Sequence, residues 1–149
     1  MRHANILALL LPASLLGGAL LSQFAFGLVA CEMCHWQRWP HYAALLPAMV
    51  GIFARHATVK RSMIVLAALL VATSGAIGVF HAGVEYGFWP GLTACTAAPG
   101  GTLADIMNAP ITRCDTPAWT MFGISMAGYN ALISLGGALL LLGLVSRSR

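Results

Sequence analysis

The chain has 149 residues, 59% of them hydrophobic and only 8% charged, where an ordinary soluble domain carries about 25% charged residues. With a mean hydropathy of +0.82, this composition excludes a conventional water-soluble fold and places the chain in a membrane. The net charge of +4 arises from eight scattered Lys and Arg; lacking a basic cluster on a polar domain, it excludes a nucleic-acid partner and serves better as a topology signal.

Four uncharged runs, His3 to Ala30, Trp39 to Ala54, Ser62 to Val84 and Thr116 to Ser146, are the candidate crossings. Each must supply about 20 apolar residues to traverse roughly 30 Å of hydrocarbon. Span one is expected over about 5–28. Its end, Leu28-Val29-Ala30-Cys31, looks like a lipoprotein processing site, but the apolar run exceeds the roughly 7–15 residues of a signal core and three more spans follow. Span two, about 36–54, must recruit Trp36 and Gln37 to be long enough. Trp36, Trp39 and His41 have the amphipathic character of a headgroup layer, and Pro40 suits a first helical turn. Span three, about 62–81, is followed closely by Gly83 and contains Ser74-Gly75 and Gly78, small residues that let helices approach. Span four, about 118–145, ends at a basic tail. The expected fold is therefore an all-α membrane protein, one domain over 1–149, built as a four-helix transmembrane bundle.

Two connections complete it, about 29–37 and 84–117. The second holds Pro90, Pro99, Pro110 and Pro117 with several glycines, irregular backbone that lipid does not tolerate. Within it Thr102-Leu103-Ala104-Asp105 resembles a helix-starting box, and Leu103, Ile106 and Met107 share one face, so a short surface helix is expected there. Arg2, Arg55, Lys60, Arg61, Arg147 and Arg149 fall on the opposite side of the spans from these connections, which carry all four acids, Glu32, Glu85, Asp105 and Asp115. By the positive-inside rule both termini face the cytoplasm and both connections face outward. Cys31, Cys34, Cys95 and Cys114 then all lie where disulfides persist.

The segment CEMCHWQRWPH, Cys31 to His41, carries the chemistry. Cys31-x-x-Cys34-His35 matches a haem-attachment pattern, yet the connection is too short to enclose a macrocycle and leaves Cys95 and Cys114 unexplained. Zinc could draw on Cys31, Cys34 and two of His35, His41 or the loop cysteines, but the histidines lack ordinary finger spacing. Inert stapling is the plain alternative: a Cys95–Cys114 bridge would contribute about 3 kcal/mol in the entropic model, whereas a Cys31–Cys34 ring would constrain only a few residues. The redox reading accounts for both pairs. A cysteine near a helix N-terminus gains thiolate stabilisation, and Arg38, four residues after Cys34, adds positive charge on the same face. It calls for no metal. By position alone, Arg38 serves equally well as an anchor that snorkels to phosphate.

Taken together, four spans, Cys31-x-x-Cys34-x-x-x-Arg38 at the outer start of span two, the later Cys95 and Cys114, and the segment Trp119 to Ala127 at the start of span four resemble the DsbB family of disulfide-bond-forming membrane proteins. The likeness covers nearly the whole chain. Vitamin K epoxide reductase-like proteins combine similar parts, but with the CxxC on a later span. The DsbB resemblance implies a bacterial inner-membrane enzyme that reoxidises a periplasmic DsbA-like thioredoxin-fold partner and passes electrons to ubiquinone or menaquinone. It assigns partner attack to Cys95, the other half of the loop disulfide to Cys114, inward transfer to Cys31 and Cys34, and the quinone site to Cys34, Arg38 and His81. Against it stands a non-catalytic membrane subunit with two structural disulfides. Glu32-Met33, His35 and a short loop between Cys95 and Cys114 depart from the family's pattern and bear on partner choice and potential.

Overall fold

A computed structural model describes residues 2–93 and 113–147. Four helices dominate it: α1 (Arg2–Phe24), α2 (Glu32–Phe53), α3 (Ala57–Glu85) and α4 (Met126–Arg147). A minimal hairpin of β1 (Thr120–Met121) and β2 (Ile124–Ser125) precedes α4, with Thr120 opposite Ser125 and Met121 opposite Ile124. Cys95 and the helix expected around 102–107 lie outside the described residues.

The helices pack through small residues. Ala4 and Ala8 of α1, Ala44 and Ala48 of α2, Ala67, Ala68 and Val71 of α3, and Ala138 and Leu141 of α4 form one buried cluster. Large apolar side chains point outward instead: Leu10 is 57% exposed, Leu46 72% and Leu139 71%. A soluble bundle would bury these. Here the interior holds Gln37, Arg38, His41, Ser74, His81 and Ser134, an arrangement that suits lipid outside and paired polar groups inside. At Gly78 the backbones of α3 and α4 come close together, and an added Cβ would lie 3.0 Å from the Ala127 carbonyl oxygen.

Among the described residues, three helices are long and apolar enough to cross a membrane: His3–Phe24, Ala57–Glu85 and Met126–Arg147. This is a multi-pass membrane protein. The helix α2 has the length, but its first half is polar, with Glu32, His35, Gln37, Arg38 and His41. Its polar face is covered by protein rather than displayed, since Gln37, Arg38 and His41 are all buried.

The element boundaries differ from the apolar runs for identifiable reasons. α2 starts four residues ahead of 36 because Cys31 caps it: the Cys31 backbone is extended (φ −75°, ψ 171°) and its sulfur accepts the Cys34 N–H at 3.2 Å. Pro40 consequently sits well inside the helix rather than in its first turn, and with no N–H it removes one intrahelical hydrogen bond. α4 starts at Met126, eight residues after 118, because a turn intervenes. Phe122 (φ 51°) and Gly123 (φ 77°) are both left-handed, the backbone of a two-residue hairpin loop. The Tyr86 hydroxyl at the end of α3 donates to the Gly123 carbonyl at 2.9 Å and accepts the Ser125 N–H at 2.8 Å, pinning the hairpin to the bundle.

Arg61 at the start of α3 donates to the Val145 carbonyl near the end of α4. Asn5 of α1 lies against Gly51 of α2. Arg55, Lys60, Arg61 and Arg147 thus lie with the start of α1 at one end of the bundle. Cys31, Cys34 and Cys114 are at the other.

Candidate redox site

At that other end Cys31, Met33, Val84 and Cys114 form a small buried cluster, with Cys34 and Phe80 against it. Cys31 and Cys34 are free thiols with their sulfurs 2.7 Å apart, while Cys114 is disulfide-bonded. The proximity comes from local geometry. An N-cap and the third residue of the helix it caps face each other across the first turn, so CxxC spacing brings the second cysteine's N–H and sulfur onto the first sulfur. Cys31 donates its S–H to Cys34. That hydrogen bond pulls the Cys34 thiol below its ordinary value, with Arg38 helping and burial opposing; the same bond, with burial, pushes Cys31 up. Of the two thiols, Cys34 is therefore the one that ionises more readily.

Cys31 and Cys34 open onto a cavity of about 240 Å³ between α1, α2 and α4, into which Arg38, His41, His81 and Glu85 also project. Arg38 does not snorkel. It is 8% exposed and donates to Gln23 Oε1 and to the Ala19 carbonyl of α1. Both acceptors are neutral, and among the described residues no carboxylate pairs with it. Its charge is left to act on the cavity.

His81 of α3 meets the pair from above. Its Nε2 lies 3.6 Å from Cys31 Sγ and 3.7 Å from Glu85 Oε1, and it also hydrogen-bonds the Cys114 backbone. Its Nδ1 is 2.7 Å from Gln37 Nε2. The Gln37 amide is held in that direction, because its Nε2 also donates to the Met33 carbonyl and its Oε1 accepts from Asn130 Nδ2 at 2.9 Å. A donor faces Nδ1, so Nδ1 carries the lone pair and Nε2 the proton. His81 consequently presents an N–H to Cys31.

That tautomer weighs against a metal centre. Cys31, Cys34 and His81 place three potential ligand atoms within 4.8 Å of one another, but ligation through Nε2 needs a bare Nε2 and an acceptor at Nδ1. Gln37 supplies a donor. Haem attachment fares no better: His35 is exposed while Cys31 is buried.

Beneath the cysteines the polar interior continues through Gln37, Asn130, Ser74, His41 and Ser134. The structure thus brings together Cys31, Cys34, Arg38 and His81, with Cys114 in the adjoining cluster. Cys95 lies outside the described residues. Gln37, Asn130 and Glu85 are the members that sequence reasoning passed over, and His41, expected near a headgroup layer with Trp36 and Trp39, is buried while both tryptophans are exposed. The usable signal was polarity inside apolar helices: Gln37 and His41 are four residues apart on α2, and Asn130 interrupts an uncharged run.

The family model described as "Disulfide bond formation protein DsbB" matches residues 1–144. Among curated proteins, the chain is similar to an uncharacterized protein, RP370, of Rickettsia prowazekii (strain Madrid E), with 24% identity over 149 residues, covering 95% of this chain and 85% of that one. No solved structure matches.

Proposed function

We propose, taking as premise that this chain belongs to the DsbB family, that it is a quinone-linked disulfide oxidoreductase of the bacterial inner membrane. In this reading α2 is a fourth crossing, its polar half shielded by α1, α3 and α4. The basic end of the bundle, with both termini, faces the cytoplasm. The thiol substrate is a DsbA-like thioredoxin-fold protein on the outer side, oxidised first by the Cys95 and Cys114 pair, which is then reoxidised by Cys31 and Cys34.

The observation that carries the reading is a free cysteine pair, Cys31 hydrogen-bonded to Cys34, opening onto the same cavity as a buried arginine that has no carboxylate partner among the described residues. A quinone fits the lining. About 150 Å³ suffices for a benzene-sized ring, so about 240 Å³ admits a substituted one. Cys34, Arg38 and His81 would hold the head group. When bound, a quinone supplies a two-electron, two-proton acceptor, so that two thiols and one quinone give one disulfide and one hydroquinone. The chain's own groups prepare that exchange. Cys31 keeps its proton on the side of Cys34, His81 holds an N–H against the Cys31 sulfur, and Arg38 favours negative charge developing on a ligand oxygen.

The test is cysteine counting by mass-shift alkylation of purified protein. Reduction should expose four thiols, and added quinone should remove all of them. Four thiols that quinone leaves untouched, with a potential below about −300 mV as inert structural disulfides have, would replace this reading with the non-catalytic subunit.

A further inference from the structure

At the end of the bundle away from the cysteines, the corner where α2 turns into α3 forms an open groove of about 450 Å³. Met49, Val50 and Phe53 from the last turns of α2 line it, and so does Val59 from the first turn of α3. All four are exposed, Phe53 to 75%. Arg55 and His56 of the connecting turn complete the lining. Arg55 makes no hydrogen bond or ion pair among the described residues. His56 stands at the N-cap of α3, but its side chain makes no capping hydrogen bond. The groove is therefore apolar along its walls, with two polar side chains at the turn whose N–H groups are unspent.

The charge around the groove is of one sign. Lys60 and Arg61 follow in the first turns of α3, and Arg61 reaches the Val145 carbonyl of α4, two residues before Arg147. The acids among the described residues all lie at the other end: Glu32 beside Cys31, Glu85 against His81 and Asp115 next to Cys114. We propose that the groove seats an anionic phospholipid of the leaflet that this end faces, with an acyl chain along Met49, Val50, Phe53 and Val59 and the phosphate on Arg55 and His56. The inference goes beyond the redox reading and does not depend on the quinone cavity. A free phosphate would engage the cations but leave the apolar walls uncovered. A zwitterionic phospholipid would bring its own ammonium group among Lys60 and Arg61, with no carboxylate of the described residues to receive it, whereas an anionic head group brings only the sign that the turn attracts. Affinity thus comes from the walls and selection from the turn.

The probes are dioleoyl phosphatidylglycerol and dioleoyl phosphatidylcholine, which share their acyl chains and differ in net charge. Each is added to delipidated full-length protein in a non-ionic detergent and its retention is read by native mass spectrometry. The wild-type chain should prefer phosphatidylglycerol, and Arg55→Gln should lower that preference about fivefold, the scale of one basic residue beside an anionic head group. Arg147→Gln removes the same charge from the same end but outside the groove, and should change the preference by less than about twofold. Phe53→Ser, which removes part of a wall, should weaken both lipids alike and leave the preference standing. Equal retention of the two lipids by the wild-type chain would overturn the proposal. So would equal effects of Arg55→Gln and Arg147→Gln, which would assign selection to the diffuse charge of the whole end, or wild-type retention in Phe53→Ser, which would leave the groove without a chain in it. Displacement of the lipid by inorganic phosphate would make the turn a phosphate site and overturn the lipid seat. Should Arg55→Gln not fold, His56→Leu is read by the same ratio and must lower it.

Discussion

Replacing Gln37 by glutamate should turn the cysteine cluster into a metal site. In the wild-type chain a bare His81 Nε2 can be presented to a metal only if the proton moves to Nδ1, where it would confront the Gln37 amide hydrogens across 2.7 Å. That move breaks one buried hydrogen bond and opposes two donors, at a cost of about 1–3 kcal/mol. At 1.4 kcal/mol per tenfold, the wild-type chain forfeits roughly 5- to 150-fold in metal affinity. The carboxylate introduced by Gln37→Glu would accept from Nδ1–H and retain the contact from Asn130, the carboxylate–histidine arrangement that supports metal ligands. The assay titrates cadmium into anaerobically reduced protein and follows thiolate-to-metal absorbance. Gln37→Glu should bind at least about fivefold more tightly than wild type, with Gln37→Leu, which removes the donor without adding an acceptor, in between. Wild-type binding as tight as that of Gln37→Glu would refute the tautomer assignment.

Three further outcomes follow from the same geometry. Because the Cys31 hydrogen bond lowers the Cys34 thiol from 9.0, and the thiolate is the reactive form, alkylation of Cys34 should rise with pH to a midpoint below 9.0; Cys31→Ala should move that midpoint upward, and an unmoved profile in rapid-quench alkylation would contradict the pairing. Arg38→Ala should slow quinone-driven reoxidation of the reduced protein by about 100-fold, the scale of losing one charge-stabilising donor, while leaving dithiothreitol reduction of the Cys31–Cys34 disulfide intact; equal effects on both would reassign Arg38 to holding α1 against α2. Gly83→Ala should destabilise the outer end by about 1–3 kcal/mol in detergent unfolding, since an added Cβ would overlap the Trp89 ring and must displace the indole from its hydrogen bond to the Phe80 carbonyl.

The bundle was legible in the sequence because lipid imposes long uncharged runs, and three of them became helices that can cross a membrane. The ends of the runs were less legible, since hydropathy does not register backbone capping. Cys31 begins α2 ahead of its apolar stretch by accepting the Cys34 N–H, and the left-handed pair Phe122 and Gly123 delays α4 inside a stretch as uncharged as the helix that follows. At the site, Cys31, Cys34 and Arg38 could be read from local spacing, because three or four residues along one helix decide their proximity. The supporting groups could not be read that way, and His81 was expected at the site only through the family resemblance. His81, Ser74 and Asn130 reach Gln37 and His41 from separations of 33 to 93 residues, and only the packing of α3 and α4 against α2 brings them together.

That packing also explains why so polar a helix can stand among three apolar ones. As the fourth crossing proposed above, a lone α2 would expose Gln37, Arg38 and His41 to hydrocarbon, each at a cost of several kcal/mol if left unpaired. Within the bundle each is met by a group from another helix: Gln37 by His81 and Asn130, Arg38 by Gln23 and Ala19, His41 by Ser74 and Asn130. Gly78, where α3 comes close to the backbone of α4, lies against Asn130 as well, so helix spacing and the polar network depend on each other. A larger residue at Gly78 would push α4 away and loosen Asn130 from Gln37, and through Gln37 release the tautomer of His81. Gly78→Val should therefore weaken two things that a simple packing defect would not link: the stability of the bundle and the exclusion of cadmium from Cys31, Cys34 and His81. Loss of stability with cadmium binding unchanged would separate the helix contact from the histidine lock.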